Sequence, residues 1–376
     1  MKIFYWAPWI GKVGTIKAVI NSADILEKYS KNSIQTKIID AVGEWKTFEK
    51  RNRYINLSKI KFHQYLPKRG FINSRLSYLI IFFFSFIPLL NLIKKEKPDF
   101  LITQLITSLP LFLNCIFNLE TKVILRISGY PKMNFLRKLF WKVASKKIYK
   151  ITFPTKSLYD QFKVLKIFEE KKMYILSDPI INYTEIIKLK NEKNIPEYII
   201  NQNYIVCIGR LTRQKNFSFL INNFALMKKK YKDYKLIIIG DGELKEKLVS
   251  QIKKFDLNED IILAGHQKNV YKFLKNAKVF ILSSIWEEVG FVMVEAASCN
   301  VNIISSNCKN GPEEFLLNGQ GGFLFKNNNS ESLNTAFEKF INSSEEELFQ
   351  KRLVAKKQVK KFTFFPHFQS FMKVIK

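Results

Sequence analysis

Ser283-Ser284-Ile285-Trp286-Glu287-Glu288-Val289-Gly290-Phe291-Val292-Met293-Val294-Glu295-Ala296 is the stretch on which the fold of this chain turns. The apolar run before it, residues 277–282, reads as a buried strand, and the residues after Gly290 read as the start of a helix. Glu287 then stands on the loop at the strand's carboxyl end, and Glu295 stands in the first turns of the helix. In open α/β sheets the crevice beyond the carboxyl ends of the strands is where ligands bind. A helix N-terminus there favours a phosphate, while carboxylates suit sugar or ribose hydroxyls. The pair therefore points to a ligand that carries both, such as a nucleotide-sugar.

Outward from this stretch, the second half of the chain alternates short β-rich runs (204–208, 235–239, 261–264, 279–282 and 302–305) with helix-length amphipathic segments. The first half alternates more loosely, with a strand at 2–7, a helix at 17–29 and a strand at 36–39. Long helical or irregular segments follow to about residue 95, then strands near 100–103, 123–127 and 151–153. Strand–helix alternation gives parallel sheets flanked by helices. The expected class is α/β, with two Rossmann-like domains facing each other across a cleft. A length of 376 residues suits two cores better than one. The boundary falls in a polar, lysine-rich region, giving domains at 1–185 and 195–350. A last segment, 351–376, is placed to pack back on the first domain.

The first turn of the second half reads Ile208-Gly209-Arg210-Leu211-Thr212-Arg213-Gln214-Lys215-Asn216. A glycine at a strand end lets the backbone approach a ligand closely. Arg210 and Lys215 then offer two cations beside a helix start, a clamp suited to a diphosphate. A solvated basic loop is the competing reading in a lysine-rich chain; the strand before the glycine and the position across from Glu287 favour the clamp. Gly240-Asp241-Gly242-Glu243 and Ala264-Gly265-His266 end two further strands, each weak evidence alone. Gly311-Pro312 before a helix start suits a helix N-terminus facing a ligand.

In this order the motifs resemble the donor-binding domain of the group 1 (family 4) glycosyltransferases, over residues 204–325. The resemblance implies the GT-B fold and a retaining, metal-independent transfer that needs no cofactor beyond its nucleotide-sugar substrate. It implies that Arg210 and Lys215 bind the donor diphosphate, that Glu287 faces the donor sugar, and that Glu295 faces the nucleotide ribose. Gly209, Gly240, Gly265, Gly290, Phe291 and Val292 complete the implied donor site, and Glu287, Arg210 and Lys215 carry the catalysis. Glu288 departs from the family, where a small residue is common, and Val292 replaces a frequent proline. In the first half, Gly11 and Gly14 represent the family's glycine-rich acceptor-side loop. The turn Ser128-Gly129-Tyr130-Pro131 lacks the histidine that many relatives carry in an N-domain loop.

The net charge of +30 is concentrated in residues 1–180, which hold 32 Lys/Arg against 12 Asp/Glu. A basic first half suggests an anionic partner, either acidic membrane lipid or nucleic acid. Residues 76–93 carry no charge and reach the lower limit for a membrane span, but Pro88 interrupts them. A buried or membrane-dipping helix is the expectation there. In residues 131–150, Leu136, Phe140 and Val143 share a helical face, with Arg137, Lys138, Lys142, Lys146 and Lys147 mostly elsewhere. That segment is either an ordinary surface helix or a docking face for an anionic membrane. Four widely spaced cysteines and three scattered histidines suggest neither a disulfide frame nor a metal site.

The leading expectation is a transferase that moves a sugar from a nucleotide-sugar donor to a lipid-linked or other glycan acceptor. It would serve surface polysaccharide or lipopolysaccharide synthesis, in the cytoplasm and peripheral on the inner face of the cytoplasmic membrane. A nucleotide-sugar epimerase or a sugar-phosphate-forming enzyme of the same fold is the alternative. A nucleic-acid-binding protein is disfavoured, because the basic residues form no recognisable module and the glutamate pair would go unexplained. The retained Arg210, Lys215, Glu287 and Glu295 argue against a dead scaffold.

Overall fold

The computed structural model describes residues 1–11, 14–48, 53–58, 60–67 and 71–376. Lys12 and Val13, in the expected acceptor-side loop, lie outside the described residues. The chain divides into two compact units, Met1–Ile180 together with Phe364–Lys376, and Ile181–Thr363. The segment 351–376 is thus split at Thr363. Helix Glu345–Val359 belongs to the second unit, and only helix Phe364–Ile375 belongs to the first.

The first unit is built on seven strands: β1 (Lys2–Trp6), β2 (Gln35–Asp40), β3 (Tyr54–Asn56), β4 (Phe100–Thr103), β5 (Lys122–Arg126), β6 (Lys150–Phe153) and β7 (Met173–Ile175). They pair in parallel in the order β3-β2-β1-β4-β5-β6-β7. A parallel sheet covered on both faces needs continuous apolar strands. Alternate residues of β1 accordingly serve opposite cores. Phe4 and Trp6 pack with Leu101 and with Ile81, Leu89 and Ile93 of helix Phe71–Glu96. Ile3 and Tyr5 pack with helix Thr15–Tyr29 and with Phe371 and Val374 of the C-terminal helix.

The second unit repeats the plan with β8 (Asn203–Ile208), β9 (Tyr234–Ile239), β10 (Ile261–Leu263), β11 (Val279–Leu282), β12 (Asn302–Ser306) and β13 (Phe323–Phe325). The order is β10-β9-β8-β11-β12-β13, again all parallel. In each sheet the strand order reverses once, at β1/β4 and at β8/β11.

Two expectations are corrected. Strands β3, β7 and β13 were not foreseen; each has three residues and forms the edge of its sheet, too short to show a period. Pro88 does not interrupt its helix, which runs from Phe71 to Glu96 with the proline inside. Proline removes one backbone donor, and burial of Ile81, Leu89 and Ile93 against the sheet holds the helix together around it. By length and composition, residues Asn73–Glu96 would suffice to cross a membrane, although this face lies in the core.

Candidate active site

Beyond the β8/β11 reversal, the loops leaving the two strands are sewn together. The Ile285 N–H donates to the Gln214 carbonyl at 2.8 Å, and Gln214 Nε2 donates to the Trp286 carbonyl at 2.9 Å. Ser283 Oγ donates to the Lys215 carbonyl at 2.8 Å. Across this seam Lys215 Nζ pairs with Glu287 Oε1, and Ser284 Oγ donates to the same oxygen at 2.6 Å. Only 13% of the lysine side chain and 8% of the glutamate side chain remain exposed. A pair this buried holds only because each charge has its partner.

Glycines shape the wall beside the pair. A Cβ on Gly209 would stand 3.0 Å from three carbons of the Lys215 stem, so the absent side chain is the space in which the lysine lies. Gly240 has φ +148°, and a Cβ there would stand 1.8 Å from the Gly209 carbonyl oxygen. No other residue fits that position. The Gly209 N–H donates to the Ile239 carbonyl (2.9 Å) and the Gly240 N–H to the Gly265 carbonyl (2.8 Å). Gly209, Gly240 and Gly265 therefore stand side by side at the carboxyl ends of β8, β9 and β10.

Gly290, in the left-handed region, precedes helix Phe291–Ser298. The first-turn amides of that helix, at Phe291 and Val292, have no intrahelical acceptor and carry the positive end of its dipole. Glu295, one turn further in, accepts a hydrogen bond from the Tyr271 hydroxyl at 3.3 Å. Burial, and then the Glu295 charge, raises the Tyr271 phenol, so it stays a neutral donor. Asn310 Nδ2 donates to both Glu288 oxygens, at 3.1 and 3.2 Å, and Asn310 forms a backbone bridge with Glu287. The departure at position 288 thus fastens the glutamate loop to the loop after β12. Burial pushes the neighbouring Cys308 thiol up to about 11. Arg210 is exposed, and its side chain makes no hydrogen bond or ion pair with another described residue.

The structure brings Gly209, Arg210, Lys215, Gly240, Gly265, Glu287, Gly290, Phe291, Val292 and Glu295 to one edge of the second sheet. Gly11 and Gly14 lie in the first unit beyond β1, with Gly14 at the start of helix Thr15–Tyr29. Sequence reasoning gave no role to Ser284, Gln214, Tyr271 or Asn310. Ser284 had a usable signal, since it stands three residues before Glu287 in the same loop. Tyr271, on the short helix Tyr271–Asn276, had none. Among the described residues no group of three or more His, Cys, Asp or Glu could hold a metal ion.

Residues 189–362 match the family model described as glycosyl transferases group 1. That match lies within the second unit and takes in just under half of the chain. The chain is 37% identical over 252 residues to an uncharacterized glycosyltransferase of Methanocaldococcus jannaschii, covering 61% of this chain and 60% of that one. Over 149 residues it is 30% identical to the N-acetylgalactosamine-N,N'-diacetylbacillosaminyl-diphospho-undecaprenol 4-alpha-N-acetylgalactosaminyltransferase of Campylobacter jejuni, covering 39% and 40% of the two chains. The chain thus spans less than two thirds of the length of these relatives. The crystal structure of Anabaena HepE in complex with UDP-glucose superposes with a TM-score of 0.73, at 14% identity, over 100% of this chain and 99% of that one. The α/β class and GT-B fold expected from the sequence hold.

Proposed function

We propose that this protein transfers a sugar from a nucleotide-sugar, bound beyond the β8/β11 reversal, to a lipid-linked glycan acceptor with retention of anomeric configuration. The product belongs to a surface polysaccharide or lipopolysaccharide. The observation that carries the reading is the buried Lys215–Glu287 pair at the crevice where α/β sheets bind ligands.

Breaking the sugar–phosphate bond leaves negative charge on the departing diphosphate and positive character on the sugar. Lys215, held in place by Glu287, and Arg210, exposed on the same loop, supply cations to the diphosphate. The amides of Phe291 and Val292 add fixed dipoles. Each charge-assisted hydrogen bond contributes about 1.5–3 kcal/mol. Glu287 has a second oxygen for a sugar hydroxyl, and Glu295 takes the ribose hydroxyls. Charge neutralisation in this reading falls to protein groups, with no metal and no further cofactor. The UDP-glucose seen in the Anabaena protein makes UDP-sugars the first donors to try. Selective binding raises apparent stability, so melting curves across UDP-, GDP- and ADP-sugars identify the donor. NMR of the product's anomeric proton then tests retention. A protein stabilised by none of them, or one that epimerises the donor without an acceptor, sinks the proposal.

The same reading puts the protein in the cytoplasm, peripheral on the inner face of the membrane. Helix Phe135–Ser145 exposes Phe135, Leu136, Leu139 and Val143, with Lys138 and Lys142 on the same helix. Helix Phe71–Glu96 exposes Leu79, Phe83, Phe84 and Ile87. Apolar side chains amid lysines suit an anionic bilayer surface. The diphospho-undecaprenol in the name of the Campylobacter enzyme supports a lipid-linked acceptor. Nucleic acid has no part in this proposal. Flotation with acidic vesicles should carry the protein upward, and its absence from the floating fraction removes the membrane assignment.

A further inference from the structure

The first sheet has its own reversal, between β1 and β4, and a cavity of about 860 Å³ opens beyond it. Its floor is the chain leaving β4 and β5, residues 105–108 and 127–129. One wall is helix Phe71–Glu96, through Tyr78, Leu79 and Phe82; the opposite wall is helix Phe135–Ser145, through Leu136, Phe140 and Trp141. At four-residue spacing, Phe83 and Ile87 continue the helical face of Leu79, and both are exposed. Contiguous exposed apolar surface of this kind marks a site for a partner or ligand.

The charge in this cavity has one sign. Arg75, Arg126, Lys132 and Arg137 line it, and no carboxylate does among the described lining residues. Arg126 is already satisfied by Asp178 at 2.6 Å and by the Leu176 carbonyl at 2.6 Å. Arg137 Nη1 donates to the Lys132 carbonyl at 2.7 Å. Burial, and then the nearby Arg75 charge, hold Arg137 below the ordinary arginine range. Two guanidinium groups at one apolar cavity repel each other, and an anion between them reverses that cost.

We propose that this cavity binds a polyprenyl diphosphate, with the diphosphate between Arg75 and Arg137 and the prenyl chain along the Leu79–Phe83–Ile87 face. A diphosphate offers bidentate acceptors to two planar guanidinium groups. An isoprenoid chain fills the apolar walls and covers the exposed phenylalanine. The proposal rests on the lipid-linked acceptor reading above and goes beyond it by naming the residues that hold the lipid.

The probe is farnesyl diphosphate, kept below its aggregation limit, and binding to the full chain is read by tryptophan fluorescence, since Trp141 lines the cavity. Saturable binding is expected, weakened about tenfold or more by Arg75→Gln and by Arg137→Gln at unchanged melting temperature. Leu79→Glu, at an exposed position, should weaken it as well. Equal affinity in the arginine variants overturns the proposal. So does equal binding of inorganic diphosphate, which would mark a plain anion site, or of farnesol, which would mark a plain apolar groove. Self-association through this face in place of probe binding, seen by light scattering, overturns it too. Lys215→Ala should leave farnesyl diphosphate binding intact. If no nucleotide-sugar binds but the probe does, the donor reading fails and this one stands. If nucleotide-sugar binds and the probe does not, this one fails alone.

Discussion

Lys215 and Glu287, 72 residues apart, form a largely buried ion pair that spans the reversal of strand order between β8 and β11. The pair joins two roles. It closes the seam between the loops leaving those strands, and in the proposed function it also presents an oriented ammonium to the donor diphosphate. A buried pair adds little stability over an apolar substitute, yet breaking it leaves an uncompensated charge.

Lys215→Ala should therefore destabilise the protein by about 3–5 kcal/mol in urea unfolding, since it strands the Glu287 carboxylate. The double variant Lys215→Met/Glu287→Leu should recover most of that loss while sugar transfer stays abolished. Transfer by the double variant at the wild-type rate would show that the pair is structural only.

Arg210 gives the opposite signature. It is exposed, and its side chain makes no hydrogen bond or ion pair with another described residue. Arg210→Ala should leave the unfolding midpoint within about 0.5 kcal/mol of the wild type. Affinity for the nucleotide-sugar should drop by about tenfold to a hundredfold, the worth of one charge-assisted hydrogen bond. Calorimetric titration checks the second number; unchanged affinity removes Arg210 from the diphosphate clamp.

Much of this was legible because the strands that position the site are long and apolar. β8, β9 and β11 show their burial as continuous Ile, Val and Leu runs, so the glycines and charges after them could be placed at strand ends. The edge strands β3, β7 and β13 carry three residues each and left no period to read. Pairings were the harder part. Nothing in the sequence says that Lys215 turns back onto Glu287, or that Tyr271 reaches Glu295, because both contacts depend on which strands lie side by side. Glu288 looked anomalous for the same reason, until Asn310 was found opposite it.

Gly240 and Gly265 should respond differently to alanine. At Gly240 the added carbon would overlap the Gly209 carbonyl, besides the positive φ. We expect a loss of about 2 kcal/mol or more in stability and weaker nucleotide-sugar binding, because Gly209 must shift beneath the Lys215 stem. At Gly265, φ is +65° but nothing lies within 4 Å of the added carbon. Only the left-handed backbone opposes alanine there, at about 1–2 kcal/mol. Equal melting temperatures for the two variants would contradict the overlap.

In the first unit, His367 ties the C-terminal helix to the rest through a chain of hydrogen bonds. Its Nδ1 donates to the Ser177 carbonyl at 2.8 Å, which leaves Nε2 to accept from Ser22 Oγ at 2.8 Å; Ser22 in turn accepts from the Tyr5 hydroxyl at 2.9 Å. Burial first, with the Arg126 charge adding to it, lowers the His367 pKa to about 3. Above pH ~6.5 the imidazole is neutral in both folded and unfolded chains, so it makes no pH-dependent contribution. Below that, the unfolded chain takes up a proton that the folded chain refuses. Stability then falls by about 1.4 kcal/mol per pH unit toward pH 3. His367→Gln should lower stability at pH 7 and flatten the urea midpoint between about pH 6 and 4. Carboxylates elsewhere tilt both proteins alike, so the difference between the two curves isolates the histidine. Parallel curves would mean that the folded protein admits the proton and that the helix is held by its apolar face, Phe371 and Val374, alone.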